Sequence, residues 1–267
     1  MPFSAKYSPV LIIDIGNTNI VCAVFINGAV HRTHRFETSS TRSVAEYHEL
    51  FKAAMDKYTD VKYVAIASVV PQVTGIILKM FKQYSIAKVF EVNGLSALGL
   101  GYLIENPAVV GPDLVANAFA AWKLYEGSTI VIDLGTATTI QLISDSGLYA
   151  GVVICPGLKT AAANLFERAA LLSEVKLKVP EELIGNNTHD ALLSGIIHGH
   201  ALMIKGFIEE IKAAYTQYSP YQVIITGGLC SVVKPLLPES YRLDEHLTLK
   251  GLYLALVSLA EQDQFTT

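Results

Sequence analysis

Three short segments of this chain set a glycine beside side chains that bear oxygen and nitrogen, a combination that can hold phosphate. Asp14-Ile15-Gly16-Asn17-Thr18-Asn19 carries a carboxylate out of the apolar run beginning at Val10 and into a turn. Glycine lets a bound group approach the backbone closely, while Asn and Thr add hydrogen-bond donors. A carboxylate belongs beside phosphate oxygens only if a hard cation such as Mg²⁺ lies between them, taking carboxylate, water and phosphate oxygen together. Asp133-Leu134-Gly135-Thr136-Ala137-Thr138-Thr139 repeats the design with three threonines, a set suited to the terminal phosphates of a nucleotide. Val223-Ile224-Ile225-Thr226-Gly227-Gly228 runs an apolar strand into a glycine pair, against which a flat ligand can lie. Asp113 follows Gly111-Pro112 at the head of an expected helix, where Pro is favoured and a carboxylate can accept the proton of an attacking hydroxyl. Each segment alone also has an ordinary reading: a hairpin with an Asx turn, a β-to-α turn, or a helix-start Asp favoured by the macrodipole. Two aspartate turns in one chain make the ordinary reading of each harder to sustain.

The elements that must position these residues follow from periodicity. Short runs rich in Val, Ile and Thr predict strands at Val10 to Asp14, Val21 to Ile26, Ala29 to Phe36, Val64 to Val69, Thr129 to Asp133, Thr139 to Ser144, Tyr149 to Ile154 and Val223 to Ile225. Apolar residues spaced by three and four predict helices at Ser43 to Tyr58, Thr74 to Tyr84, Pro112 to Tyr125, Leu158 to Leu172, Thr188 to Tyr215 and Leu249 to Ala260. This alternation is the pattern of an α/β protein. IIDIGNTNIVCAVFINGAV and VIDLGTATTIQLISDSGLY overlay without a gap, Asp14 on Asp133, Gly16 on Gly135, Thr18 on Ala137 and Gly28 on Gly147. Two similar domains facing each other are expected, 1–115 and 116–267, with Pro107, Gly111 and Pro112 punctuating the boundary region.

Composition narrows the function classes. The 267 residues are 51% hydrophobic and 16% charged, far from a disordered chain. Twenty Lys and Arg against 24 Asp and Glu leave a net charge of -4, no electrostatic footprint for nucleic acid. Apolar stretches such as Val92 to Ile104 are short and broken by glycine, so no membrane span is expected, and the amino terminus has no secretory apolar region. Cys22, Cys155 and Cys230 are widely separated, which argues for packed thiols in a reducing cytoplasm rather than a disulfide framework. His198 and His200, two residues apart on one helix, point to different faces and make a poor metal pair.

Together the three glycine segments resemble the phosphate-1, phosphate-2 and adenosine elements of the actin, heat-shock chaperone and sugar kinase superfamily. Within it, IDIGNTNIV (Ile13 to Val21), SVVPQV (Ser68 to Val73), ENPAVVGPD (Glu105 to Asp113), VIDLGTATT (Val131 to Thr139), CPGL (Cys155 to Leu158), IGNNTHDALLSGIIHG (Ile184 to Gly199) and ITGGL (Ile225 to Leu229) resemble the blocks of the type III pantothenate kinases, in that family's order. The resemblance runs from about Val10 to Leu259. It implies an actin-like ATPase fold of two duplicated ribonuclease-H-like domains with a cleft between them. It implies ATP-dependent phosphorylation of pantothenate at its primary hydroxyl, the first step towards coenzyme A. It also implies a cytoplasmic homodimer, its interface in the C-terminal half, that uses Mg²⁺ and a monovalent cation, K⁺ or NH₄⁺.

Residue by residue, the resemblance makes Asp113 the catalytic base and Asp14 the carboxylate that organises Mg²⁺. Asp133 holds the monovalent cation. Asp14, Gly16, Asn17, Thr18, Asn19, Gly135, Thr136, Ala137, Thr138, Gly227 and Gly228 fall to ATP, and Ile104, Gly111, Pro112, Asp113, Leu114 and Thr188 to the acceptor, with Thr188 reaching the substrate of the other subunit. Gly195 and Gly199, one turn apart, fit either a dimer seam or close packing within the monomer. The chain departs from the family pattern mainly on the acceptor side. Leu114 stands where an Arg is usual, Ile104 where a Tyr is common, Ala169 at a Thr, Ser173 at a Pro, Val152 at a Gly and Gln141 at an Asp. Leucine offers neither charge nor donor, whereas arginine clamps a carboxylate through paired hydrogen bonds. Three readings stay open at this level: a pantothenate kinase in which another cation, Arg168 or Lys159, replaces the arginine; a kinase for a less anionic acceptor; and a non-catalytic, nucleotide-binding regulatory dimer.

Overall fold

The structure, a computed structural model, describes residues 5–55, 58, 60–168 and 176–264. In chain order the elements are β1 (Val10–Ile15), β2 (Asn19–Ile26), β3 (Ala29–Glu37), α1 (Val44–Met55), β4 (Tyr63–Ser68), α2 (Pro71–Gln83), β5 (Lys88–Glu91) and β6 (Gly101–Tyr102). They continue with α3 (Pro112–Leu124), β7 (Ser128–Leu134), β8 (Ala137–Ile143), β9 (Leu148–Pro156), α4 (Leu158–Arg168) and α5 (Thr188–Leu193). A π-helical turn at Ser194–His198 leads into α6 (Gly199–Ala214), then β10 (Tyr221–Thr226), α7 (Cys230–Val233), β11 (Arg242–Leu243) and α8 (Leu247–Gln264). The expected helix at Leu158 to Leu172 is described as far as Arg168, and its residues 169–172 lie outside the described residues.

Two compact units result, Met1–Leu124 with Leu247–Thr267, and Tyr125–His246. In the first the strands run in the order β3-β2-β1-β4-β5, with β1-β2-β3 an antiparallel meander and β4 and β5 parallel to β1. In the second the order β9-β8-β7-β10-β11 repeats that arrangement strand for strand. The expected division into 1–115 and 116–267 differs from this partition. All of α3 and the carboxy-terminal α8 belong with the first unit, because the two helices cross backbone to backbone. A Cβ on Gly251 would lie 1.9 Å from the Ala116 carbonyl oxygen, and Thr248 Oγ1 donates to Oδ1 of the buried Asn117 at 2.8 Å. No local sequence signal assigns a terminal helix to a distant unit.

Each sheet buries one face in its own cluster. Leu11, Ile13 and Ile15 of β1 join Ile20, Cys22 and Val24 of β2 and the apolar faces of α1 and α2, Tyr47, Phe51, Val73, Ile77 and Phe81. A capping box starts α1, with Glu46 accepting from the Ser43 backbone N–H at 2.7 Å and the Ser43 hydroxyl accepting from the Glu46 N–H. The opposite face of the first sheet is covered by α3 and α8, with Tyr253 of α8 stacked on Phe25 of β2, ring centres 4.9 Å apart. In the second unit Ile130, Ile132, Leu134, Ile140 and Leu142 pack with Ile197, Ala201, Ile204 and Ile208. The helical run Thr188–Ala214 is, at 27 residues, long and apolar enough to cross a membrane, although no span is expected from the sequence. Its buried residues recur at three- and four-residue spacing on one face, the pattern of a helix laid on a sheet.

The two meanders differ at the turn. In the first, Gly16 N–H donates to Asn19 O at 3.0 Å and Asp14 pairs with Val21. In the second, Gly135 N–H donates to Ala137 O at 3.0 Å and Asp133 pairs with Thr139. The second turn is therefore one residue shorter, and the ungapped overlay of Thr18 on Ala137 slips by one position. Because a one-residue slip exchanges the faces of a strand, it decides where each threonine points. Thr138 occupies the core position held by Ile20 in the first unit, while Thr139 shares a face with Asp133.

Candidate active site

The carboxylate Asp14 emerges at the end of β1 on the face opposite Ile13 and Ile15, half-buried, with Ala67 of the parallel β4 as its register partner. Ligands of open α/β sheets gather at such carboxyl ends. The turn that follows is tied to the end of β3: Thr38 Oγ1 donates to Gly16 O at 2.7 Å and Thr38 N–H to Thr18 O at 3.0 Å. Asn17 and Thr18 are left exposed at its tip.

In the same unit α3 opens with Pro112 and Asp113, a helix start that places no demand on the missing proline N–H. The absence of a side chain at Gly111 makes room for the carboxyl, since a Cβ there would stand 2.5 Å from Asp113 Oδ1. Burial raises the proton affinity of Asp113 above that of an ordinary aspartate, and the backbone N–H groups of Leu114 and of Asp113 itself oppose the shift. A raised value suits a general base that must both lose its proton near neutral pH and take one from an alcohol.

Two glycine-bearing segments converge in the second unit on the turn Asp133 to Ala137. Gly227, at φ +93°, presses its backbone onto Asp133, where a Cβ would fall 2.5 Å from both Asp133 Oδ1 and Leu134 N. Leu229 N–H donates to Leu134 O at 3.3 Å, completing the strap. From the other side Gly157 N–H and Thr160 Oγ1 both donate to Thr136 O, at 3.1 and 2.7 Å. A Cβ on Gly157 would lie 2.3 Å from that oxygen, so CPGL is a contact loop that fixes the turn. Thr136 is exposed, and Thr139 Oγ1, on the face of Asp133, is buried without a hydrogen-bond partner.

The sequence profile of the family described as Type III pantothenate kinase matches residues 10–210. A relative from Anaeromyxobacter sp. (strain K), named Type III pantothenate kinase, is 38% identical over 247 residues, which are 91% of this chain and 96% of that protein. One from Thermomicrobium roseum with the same name is 37% identical over 246 residues, 91% of this chain and 94% of that protein. The chain belongs to the type III pantothenate kinases. Among solved structures it is similar to the activator of the 2-hydroxyisocaproyl-CoA dehydratase from Clostridium difficile with bound ADPNP, with a TM-score of 0.59 at 13% identity over 97% of this chain and 98% of that one. It is also similar to an ethanolamine utilization protein from Carboxydothermus hydrogenoformans, with a TM-score of 0.54 at 14% identity over 94% and 92%. At such identities the likeness concerns the fold, the actin-like ATPase arrangement of ribonuclease-H-like domains.

Against the family's pattern, the first unit gathers Gly111, Pro112, Asp113 and Leu114 at one helix start and Asp14 to Asn19 at one turn. The second gathers Asp133, Gly135, Thr136, Ala137, Gly227 and Gly228. Thr138 takes a different place from the one expected: its side chain is fully buried and hydrogen-bonded to His200 Nε2 at 2.8 Å. Burial keeps that imidazole's proton affinity below the ordinary value. Ile104 is half-buried and Thr188 exposed at the first position of α5, whose cap is Asn187, accepting from Asp190 N–H at 2.9 Å. Leu114 is 7% exposed, an apolar residue within the core of the unit. Of the residues named to replace the missing charge, Lys159 is exposed and the side chain of Arg168 lies outside the described residues, as do Ala169 and Ser173.

Sequence reasoning missed His200 as the partner of Thr138 and missed the role of Gly157. The signal for the first was a polar residue at a core position of β8, visible only with the correct turn length. Gln141 is fully buried with both amide atoms unpartnered, at the strand position two residues from Thr139.

Proposed function

We propose that this chain transfers the terminal phosphoryl group of ATP to the primary hydroxyl of pantothenate. The observation that carries the reading is Asp113: a carboxyl whose burial raises its proton affinity, at a helix start behind a glycine. The Asp113 carboxylate takes the hydroxyl proton as the new oxygen–phosphorus bond forms and the bond to the bridging oxygen of ADP breaks. Positioning and neutralisation of charge do the rest, since phosphoryl transfer needs little covalent help. The exposed Asn17, Thr18 and Thr136 supply donors towards phosphate oxygens, and the glycine backbone at Gly227 and Gly228 supplies a flat wall for the nucleoside.

The donor sets suit the implied cations. Asp14 offers a hard oxygen at a strand end, and among the described residues no group of three or more His, Cys, Asp or Glu forms a closed metal cage. Mg²⁺ held there would keep waters and phosphate oxygens as most of its ligands and would neutralise the charge of the transferring group. For a monovalent cation, Asp133 and the unpartnered Thr139 hydroxyl opposite it are the fitting oxygens. A homodimer is supported by Gly195 and Gly199, where an added Cβ would meet nothing within 4 Å, and by the exposed Leu202 on the same helical run. The open space at those glycines argues against their serving close packing inside the monomer. ATP as donor suits a cytoplasmic setting.

ATP-dependent phosphorylation of pantothenate, with Mg²⁺ and with or without K⁺ or NH₄⁺, tests the reading. Turnover that is lost in Asp113→Asn is expected. No turnover in any buffer, with ATP still bound, removes it. Leu114 favours a second reading within the same family, a less anionic acceptor.

A further inference from the structure

Arg35 of β3 stands in one row with Asp14. Asp14 pairs with Val21 of β2, and Val21 pairs in turn with Arg35. Residues paired directly across strands share a face of the sheet, so the carboxylate and the guanidinium leave it on the same side. The neighbours of Arg35 take the other side: Arg32, His34 and Phe36 pair with Val24, Cys22 and Ile20 of the core, and Phe36 meets Phe51 with ring centres 5.3 Å apart. Two strand spacings separate the backbones of Asp14 and Arg35 by about 10 Å. That gap leaves room for a phosphate group between the two side chains.

The sheet face is open at this row. Ile12 and Ala23, two residues back along their strands, are buried on the side covered by α3 and α8, whereas Asp14 and Val21 are half-buried and Arg35 is exposed. Thr38, three residues after Arg35, holds the turn from Asp14 to Asn19 at the same end through Gly16 O and Thr18 O. Arg35 has no hydrogen bond or ion pair among the described residues. Arg42, at the same end of the hairpin, is by contrast engaged: it donates to Glu37 O and lies 5.8 Å from the centre of the Tyr47 ring.

We propose that Arg35 binds the terminal phosphoryl group of the nucleotide and offsets the charge on its oxygens during transfer, an inference that rests on the kinase reading. A guanidinium grips phosphate through paired, charge-assisted hydrogen bonds and cannot lose its proton near neutral pH. Asp113 opens α3 in the same unit, so the phosphate met by this unit is the one that passes to the acceptor hydroxyl. Arg35 itself forms and breaks no covalent bond. An exposed arginine on an edge strand has one other use, to keep that edge from pairing with a second molecule, and that use leaves nucleotide binding untouched.

The test compares wild type, Arg35→Gln and Arg35→Lys in calorimetric binding of ADPNP and of ADP with Mg²⁺, in the steady-state kinetics of ATP and pantothenate, and in thermal unfolding. Arg35→Gln should weaken ADPNP binding and lower kcat/KM for ATP by about tenfold or more, while ADP binding and the KM for pantothenate hold. Arg35→Lys should recover part of the loss, since it restores the charge without the fork. The thermal midpoint should hold in both, because surface substitutions change stability little. Unchanged ADPNP binding in Arg35→Gln, an equal loss for ADP and ADPNP, or a rise confined to the KM for pantothenate overturns the inference while the kinase reading stands. If the wild type binds ADPNP without turnover, an ADPNP-specific loss in Arg35→Gln keeps the phosphate contact and removes the kinase reading. No binding of ADPNP to the wild type removes both.

Discussion

A carboxyl that is to take a proton from an alcohol must be desolvated enough to want one, and Asp113 meets that condition through burial. Its folded-state pKa lies above the unfolded value, so between the two the folded chain holds a proton that the unfolded chain has released. Stability therefore falls as pH rises through that window. Asp113→Asn should abolish turnover, by about 10²-fold or more, and should melt at or above the wild-type temperature at neutral pH, the difference shrinking towards pH 4. Paired assays and thermal melts at both pH values check this. The acid limb of kcat/KM should also sit above the ordinary aspartate range. Gly227 makes the complementary case. Gly227→Ala forces a Cβ against Asp133 at a positive φ, at a cost of about 1–3 kcal/mol. A lower melting temperature together with a raised KM for ATP is expected, and a variant with both unchanged would show that the strap on Asp133 is slack.

Elements set what such residues can do. The turn between β7 and β8 is one residue shorter than that between β1 and β2, which turns Thr138 inward and Thr139 towards the face of Asp133. Thr138 is tolerated in the core because His200 satisfies it. Thr138→Val leaves the imidazole without its partner and should cost about 1–3 kcal/mol in chemical denaturation. His200 also carries a pH signature. Its folded pKa is lowered, so protons enter the unfolded chain first as pH falls below about 6.5, and its contribution to stability is lost there. The crossing of α3 and α8 is equally specific: Gly251→Val drives side-chain atoms into the Ala116 carbonyl and should destabilise the chain by about 3 kcal/mol or more. A thermal midpoint within a degree of wild type would contradict that crossing.

For the whole molecule the discontinuous first unit matters most. Residues 1–124 leave one face of their sheet covered only in part, by α3, unless α8 returns from the far end of the sequence, bringing Tyr253 onto Phe25. A fragment ending at Leu124 should lack a cooperative unfolding transition, and adding a peptide of residues 247–267 should restore one. A cooperative melt of the fragment alone would show that α8 is dispensable. The thiols are governed at this scale too, for the sheet and helices around Cys22 push its pKa up to about 12. Alkylation of Cys22 at pH 8 should await unfolding.

Much of this was legible in the amino-acid sequence. Strand periodicity at Val10, Thr129 and Val223, the glycine after each aspartate, and Gly111-Pro112-Asp113 are local patterns, and local sterics enforce them wherever they occur. The family blocks followed because each encodes such a local constraint. β5, β6 and β11 escaped because two to four residues carry too little periodicity to register. What only tertiary structure decided depends on partners far apart in the chain. The length of the second turn fixed which threonine meets His200, 62 residues away. The close approach of Gly251 to Ala116 assigned α8 to the first unit. Burial, which no short window reports, gave Asp113 its raised proton affinity, and the meeting of Ser68, Thr74, Asn93 and Pro112 gave the first unit a cavity.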